Sequence, residues 1–234
     1  MTIDVLDNAA AVAAKGAAMI AAEARTAGVA RGRFIMAVSG GRTPWLMLRA
    51  LAAENVPWAC VHVFQVDERV APPGDADRNF THLREALIDH VPLPPAQVHA
   101  MPVEAHDLRS AAADYANTLR SIAGTPAVLD LVHLGLGPDG HTASLVPHDP
   151  VLEVMDGDVA LTGAYQGRQR MTLTYPIINR SRRILWLVTG GDKTAMLTLL
   201  RDSDTSIPAG RIRQDQAMVL ADRAAAGNLG STPA

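Results

Sequence analysis

A chain of 234 residues that is 48% hydrophobic and only 4% aromatic can bury a full aliphatic core without metal or disulfide staples. Its 21 basic and 24 acidic residues give a net charge of −3, which excludes a global electrostatic footprint for nucleic acid or an anionic membrane. Cys60 is the single cysteine, which excludes an internal disulfide and a cysteine-based metal site.

In chain order, the Ala-rich stretch Asn8 to Thr26 predicts a helix capped by Asn8. Phe34 to Val38 is a short apolar run that ends in Ser39-Gly40-Gly41-Arg42-Thr43-Pro44, and Trp45 to Ala53 then has helical spacing. A second strand, Val61 to Val66, ends in Asp67-Glu68-Arg69 and a loop rich in Pro and Asp, which closes at Asn79 with a helix to about Asp89. Val98 to Met101 predicts a strand, Ala105 to Ile122 a helix, and Val128 to Leu134 a strand that enters Gly135-Leu136-Gly137-Pro138-Asp139-Gly140-His141. From His148 to Gly167 turn signals dominate, with at most one short strand. A strand over Arg170 to Thr174 and a brief helix at Pro176 to Asn179 follow. Ile184 to Val188 is a buried strand leading into Thr189-Gly190-Gly191-Asp192-Lys193 and a helix to Leu200. Ile207 to Arg211 reads as a loop, Ala217 to Ala221 as the last strand, and the tail from Ala224 to Ala234 is expected to fray.

Strands alternate with helices without an internal repeat or a linker-like composition shift. The expectation is an α/β fold: one three-layer αβα domain over residues 1–234 with a mostly parallel sheet. No basic-then-apolar leader opens the chain, and no apolar run approaches the ~20 residues that span a bilayer, so a soluble cytoplasmic protein is expected. Loops that follow parallel strands emerge at one edge, so those beginning at Ser39, Asp67, Gly135 and Gly190 can converge on one crevice.

Each of the four loops carries chemistry. Ser39, Gly40, Gly41 and Thr43 place glycines and hydroxyls before a helix, where free N–H groups and the helix dipole suit a phosphate. The Gly190 loop repeats that design and adds Lys193, a cation placed against the dipole unless an anion binds there. Asp67 and Arg69, with Asn79 downstream, fall where a substrate's hydroxyls and phosphate would lie; Arg170 reads as a second phosphate cation or a strand-edge arginine. Asp139 and His141, two residues apart in a glycine turn, are the candidate acid/base pair.

Gly135-x-Gly137-x-x-Gly140 formally matches a dinucleotide fingerprint, which requires a helix to open at once and an acidic residue to end the next strand. Pro147 cuts such a helix short, and Glu153, Asp156 and Asp158 follow no convincing strand. His62, His82, His90, His99, His106, His133 and His148 lack a glycine loop or a paired carboxylate, and structural roles are expected for them, with His133 in or near the core.

Taken together, the four loops resemble the glucosamine-6-phosphate isomerase/6-phosphogluconolactonase family. Ser-Gly-Gly-x-Thr-Pro at 39–44, Asp-Glu-Arg at 67–69 with Asn79, Gly-Leu-Gly-Pro-Asp-Gly-His-Thr-Ala-Ser-Leu at 135–145 and Gly-x-x-Lys at 190–193 occur in family order over most of the chain. The resemblance implies a Rossmann-like fold, sugar 6-phosphate substrates and neither an obligatory cofactor nor a metal. Nucleic acid, membrane and obligatory protein partners are not expected.

Deaminases of the family carry a glutamate seven residues after the loop aspartate, where this chain has Val146, so the resemblance points to the lactone-hydrolysing branch. It implies hydrolysis of 6-phospho-D-glucono-1,5-lactone in the oxidative pentose phosphate route. His141 would be the general base, with Asp139 orienting or polarising the site. Arg69 or backbone N–H groups of the glycine loop would meet the oxyanion. The phosphate would sit on the Ser39 loop, with Gly137, Asp67 and Asn79 nearby, Lys193 as a cation and one of Arg69 or Arg170 as another. The alternatives are an amino-sugar phosphate deaminase or isomerase and a sugar-phosphate sensor. A sensor acting on DNA would need a recognition helix for which the chain has no basic segment.

Overall fold

A computed structural model describes residues 1–227. The strands are β1 (Thr2–Leu6), β2 (Phe34–Val38), β3 (Val61–Gln65), β4 (Asp67–Arg69), β5 (Val98–His99), β6 (Leu131–Gly135), β7 (Val159–Leu161), β8 (Arg170–Leu173), β9 (Ile184–Val188) and β10 (Ala217–Asp222). The helices are α1 (Ala9–Arg31), α2 (Arg42–Ala52), α3 (Asn79–Ala86), α4 (Leu108–Ala123), α5 (Tyr175–Arg180), α6 (Thr194–Arg201) and α7 (Arg223–Ala226).

Seven strands form one sheet in the order β1-β10-β9-β6-β2-β3-β5, and every pairing within it is parallel. The run Phe-Ile-Met-Ala-Val of β2 and Ile-Leu-Trp-Leu-Val of β9 are buried at every position, because helices cover both faces. Alternate residues feed two cores. Phe34, Met36, Val38, Leu131 and Leu185 pack with the apolar sides of α1 and α2, while Ile35, Ala37, Val132, Leu134 and Trp186 pack with α4 and α5. The three-layer αβα arrangement follows from that alternation. Among the described residues, no helix is long and apolar enough to cross a membrane.

Strand order reverses between β2 and β6, which pair directly. This is the switch point at which an open α/β sheet leaves a crevice beyond its carboxyl ends. The loops that start at Ser39 and Leu136 flank it.

Several expectations are corrected. Thr2–Leu6, unassigned in the sequence, is an edge strand parallel to β10. The first helix runs five residues past Thr26, to Arg31, because its alanine stripe (Ala13, Ala17, Ala21, Ala24, Ala27) stays buried along its length; Asn8 caps it as expected, accepting from Ala11 N–H at 3.0 Å. Asp67–Arg69 is not loop but strand: the chain leaves the main sheet after Val66, and β4 pairs antiparallel with β8, which pairs antiparallel with β7. Within residues 148–167, where at most one short strand was expected, β7 is that strand, held in this second sheet by β8. The tail does not fray at Ala224, since Ala225 and Ala226 are buried in α7, capped by Asp222; residues 228–234 lie outside the described residues.

Candidate active site

All four loops line one cavity of about 680 Å³, within the range of small-molecule sites. Of the residues singled out from sequence, Ser39, Gly40, Gly41, Thr43, Asp67, Arg69, Asn79, Gly137, His141, Arg170 and Lys193 line it, and Asp139 stands behind His141. Among the described residues, no cluster of three or more His, Cys, Asp or Glu side chains is placed to hold a metal ion.

The 135–141 turn is built to present one imidazole. Gly137 N–H donates to His141 O at 2.8 Å and Gly140 N–H to Gly137 O at 3.1 Å, closing the turn on itself. A Cβ on Gly137 would lie 2.1 Å from His141 Nδ1, so only glycine lets the ring pack there. His141 Nδ1 is 2.5 Å from Asp139 Oδ1, and His141 N–H donates to the same oxygen at 3.2 Å. A carboxylate can only accept, so this network assigns the proton to Nδ1 and leaves the lone pair on Nε2 of a ring that lines the cavity. Burial alone would raise the Asp139 pKa, but hydrogen bonds from His141 and Tyr165 outweigh it and hold the carboxyl below the usual carboxylate range. The helix that a dinucleotide fingerprint needs is absent: after Gly140 the chain makes a bridged turn between Thr142 and Leu145.

The Ser39 loop is held from beneath. Ser39 N–H donates to His133 Nδ1 at 3.3 Å and Ser39 Oγ to His133 O at 3.0 Å, so both donors of Ser39 point inward. His133 is fully buried, and burial lowers its pKa to about 3. Past Ser39, the N–H groups of Gly41, Arg42 and Thr43 open α2 without intrahelical acceptors, and Pro44 has none to satisfy. Thr43 Oγ1 and Thr189 Oγ1 are 2.6 Å apart, tying this loop to the Gly190 loop, where Gly190 N–H is engaged by Asp222 and Lys193 Nζ lies 3.0 Å from Asp192.

Alternation along β4 explains the Asp-Glu-Arg motif. Asp67 is 4% exposed, with its Oδ2 accepting from Ser144 Oγ at 2.6 Å and Asn79 Nδ2 donating to its backbone and side-chain oxygens. Glu68 turns the other way and is fully buried. It accepts from the N–H groups of Arg69, Asn79 and Phe80, capping α3, and pairs with buried Arg78 at 3.1 Å. Arg69 then faces the cavity beside Arg170. Asn79 therefore fixes Asp67, and its Oδ1 lies where a Cβ on Gly40 would be 1.9 Å away.

Four residues of the site escaped sequence reasoning. Arg42, the unnamed position of the Ser-Gly-Gly-x-Thr-Pro run, lines the cavity at the start of α2. Ser144 holds Asp67. Tyr165 and Gln166 arrive on the β7–β8 hairpin, whose antiparallel pairing with β4 left no local periodic signal.

The profile of the family described as glucosamine-6-phosphate isomerases/6-phosphogluconolactonase matches residues 7–221. The chain is 36% identical to the 6-phosphogluconolactonase of a Nostoc species, over 97% of this chain and 98% of that protein. It is 38% identical to the 6-phosphogluconolactonase of Mycobacterium tuberculosis, over 94% of each. Among solved structures it is similar to a 6-phosphogluconolactonase of Thermotoga maritima, with a TM-score of 0.84 and 28% identity over 94% of this chain and 98% of that one. A monomeric glucosamine-6-phosphate deaminase shares the fold with a TM-score of 0.83 at 18% identity, over 97% of this chain and 99% of that one. With the site residues in family order around one crevice, the chain belongs to the glucosamine-6-phosphate isomerase/6-phosphogluconolactonase family.

Proposed function

We propose that this chain is a 6-phosphogluconolactonase: it hydrolyses 6-phospho-D-glucono-1,5-lactone to 6-phosphogluconate in the oxidative pentose phosphate route. The observation that carries the mechanism is His141, which lines the cavity with Nδ1 tied to Asp139 at 2.5 Å, so that Nε2 keeps its lone pair. Nε2 takes a proton from water as the oxygen attacks C1. The imidazolium then returns that proton to the ring oxygen as the C1–O bond breaks. Asp139 holds the tautomer and stabilises the imidazolium.

The oxyanion at C1 needs a donor that is not already used. Gly137 and Gly140 spend their N–H groups inside the turn, whereas Arg69 gives Nη1 to Asp77 O and keeps a buried Nε without a partner, which favours Arg69 over those two. The phosphate, carrying about −1.5 to −2 charge at neutral pH, is held by the free N–H groups at the start of α2 with Arg42 and Lys193. The Arg69–Arg170 pair supplies further positive charge between it and His141. Relatives named 6-phosphogluconolactonase at 36% and 38% identity support the lactone as substrate.

The deaminase alternative lacks its carboxylate: Val146 is 3% exposed and packed into the protein rather than lining the cavity. The test is a pH-controlled assay of freshly made lactone, counted as the rate above spontaneous opening, beside an assay for ammonia from glucosamine 6-phosphate. Acceleration of the first with none of the second is the expected outcome; ammonia release would reverse the assignment.

A further inference from the structure

Tyr165 stands outside the cavity wall yet reaches the pair that works at it. Its hydroxyl donates to Asp139 Oδ2 at 2.9 Å and lies 3.4 Å from His141 Nδ1, and its ring meets the imidazole edge-on with centroids 5.4 Å apart. Asp139 therefore has one oxygen on His141 and the other on Tyr165. A carboxylate in a surface turn, about one-third exposed, would otherwise rotate and exchange partners with water.

Tyr165 is itself held from three sides. Tyr165 and Arg168 pair across a two-residue turn, with Gln166 and Gly167 at φ 53° and 77°, the primed geometry of a tight hairpin. Arg168 then binds across to the β4–α3 loop, at 2.9 Å from Asp77 and 3.3 Å from Asp75. Arg170 stacks its guanidinium 4.9 Å above the Tyr165 ring. The left-handed residue at Gln166 and the ion pairs of Arg168 fix the hairpin that carries this hydroxyl. Burial first, and then the hydrogen bond to Asp139 and its charge, raise the phenol's pKa, so it remains a donor at neutral pH.

From this geometry we infer that Tyr165 is a positioning residue for the reaction, locking the Asp139 carboxylate so that Asp139 can lock the His141 ring. It touches no substrate and acts through Asp139. The inference rests on the assignment of His141 as the base, and its test reads both independently.

Tyr165→Phe keeps the ring and removes the donor. In lactone hydrolysis, kcat is expected to fall about tenfold with KM within twofold, and the same change placed in an Asp139→Asn background should cost nothing further. In the substrate-free protein, the Nδ1–H proton of His141 followed by NMR should exchange faster with water in Tyr165→Phe, because the Asp139 carboxylate that accepts it is then free to rotate. A full loss persisting in the Asp139→Asn background, a loss expressed as raised KM, or an unchanged exchange rate of the His141 Nδ1–H proton would overturn the role. A wild-type protein that fails to accelerate lactone opening would instead overturn the proposed function, and the NMR exchange measurement would still decide the Tyr165–Asp139–His141 linkage.

Discussion

Arg69 and Arg170 are directly opposed across the antiparallel β4–β8 pair, two guanidiniums at one rung of a ladder, and both side chains line the cavity. Like charges at such a rung are unfavourable without an anion between or beside them. Arg170 is 4% exposed, both Nε atoms are buried without partners, and burial, together with the Arg69 charge, lowers the Arg170 pKa against the opposing pull of Asp67. The sequence left open which arginine serves the substrate. Their pairing puts both guanidiniums at the cavity.

Arg170→Met should therefore separate binding from stability. Loss of a charge-assisted contact of ~1.5–3 kcal/mol raises KM roughly tenfold or more, while the thermal midpoint holds or rises because the like-charge rung is gone. Inorganic phosphate should raise the midpoint of the wild type more than that of the variant. Steady-state kinetics and thermal unfolding with and without phosphate check both.

Gly137→Ala places a methyl 2.1 Å from His141 Nδ1 in a turn whose backbone otherwise accepts it. The imidazole must move, and a displacement near 1 Å costs about 10² in rate. The expected result is a kcat lowered on that order, with a chemical unfolding midpoint close to wild type.

His133 sets an acid limit on stability. Its folded pKa, about 3, lies below the unfolded value of 6.5, so the unfolded chain binds the extra proton between those values. The stabilisation is whole above pH 6.5 and is lost as pH falls toward 3, at up to about 1.4 kcal/mol per pH unit from this group. His133→Asn keeps an acceptor for Ser39 N–H and removes the titration. Urea unfolding between pH 7 and 4.5 should show a shallower slope than wild type; His99, which burial and His62 push down to about 4, contributes the same sign in both proteins.

Much of this architecture is legible in the sequence where the physics is local. The apolar runs Phe34–Val38 and Ile184–Val188 announce strands buried on both faces, and the glycine turns after them announce a crevice. Asn8 announces a cap. What the sequence hides depends on partners far along the chain. Asp67–Arg69 reads as a charged loop because only three residues pair, and their partner lies about a hundred positions away in β8. Thr2–Leu6 is a strand only because β10 offers it an edge. Ser39 reads as a phosphate ligand from its motif, yet its donors serve His133, a histidine whose role is structural as expected but whose contact with the loop no spacing reveals. Tyr165 carries no motif at all; two turn residues and Arg168 bring it to Asp139.

The most direct test of the central claim is the rate of lactone opening above the spontaneous background for wild type and His141→Ala, at fixed pH with freshly made substrate. A base that activates water contributes about 10²–10⁴ in rate. The variant should lose that factor while keeping its unfolding midpoint and its stabilisation by inorganic phosphate. Equal excess rates for the two proteins would contradict His141 as the base.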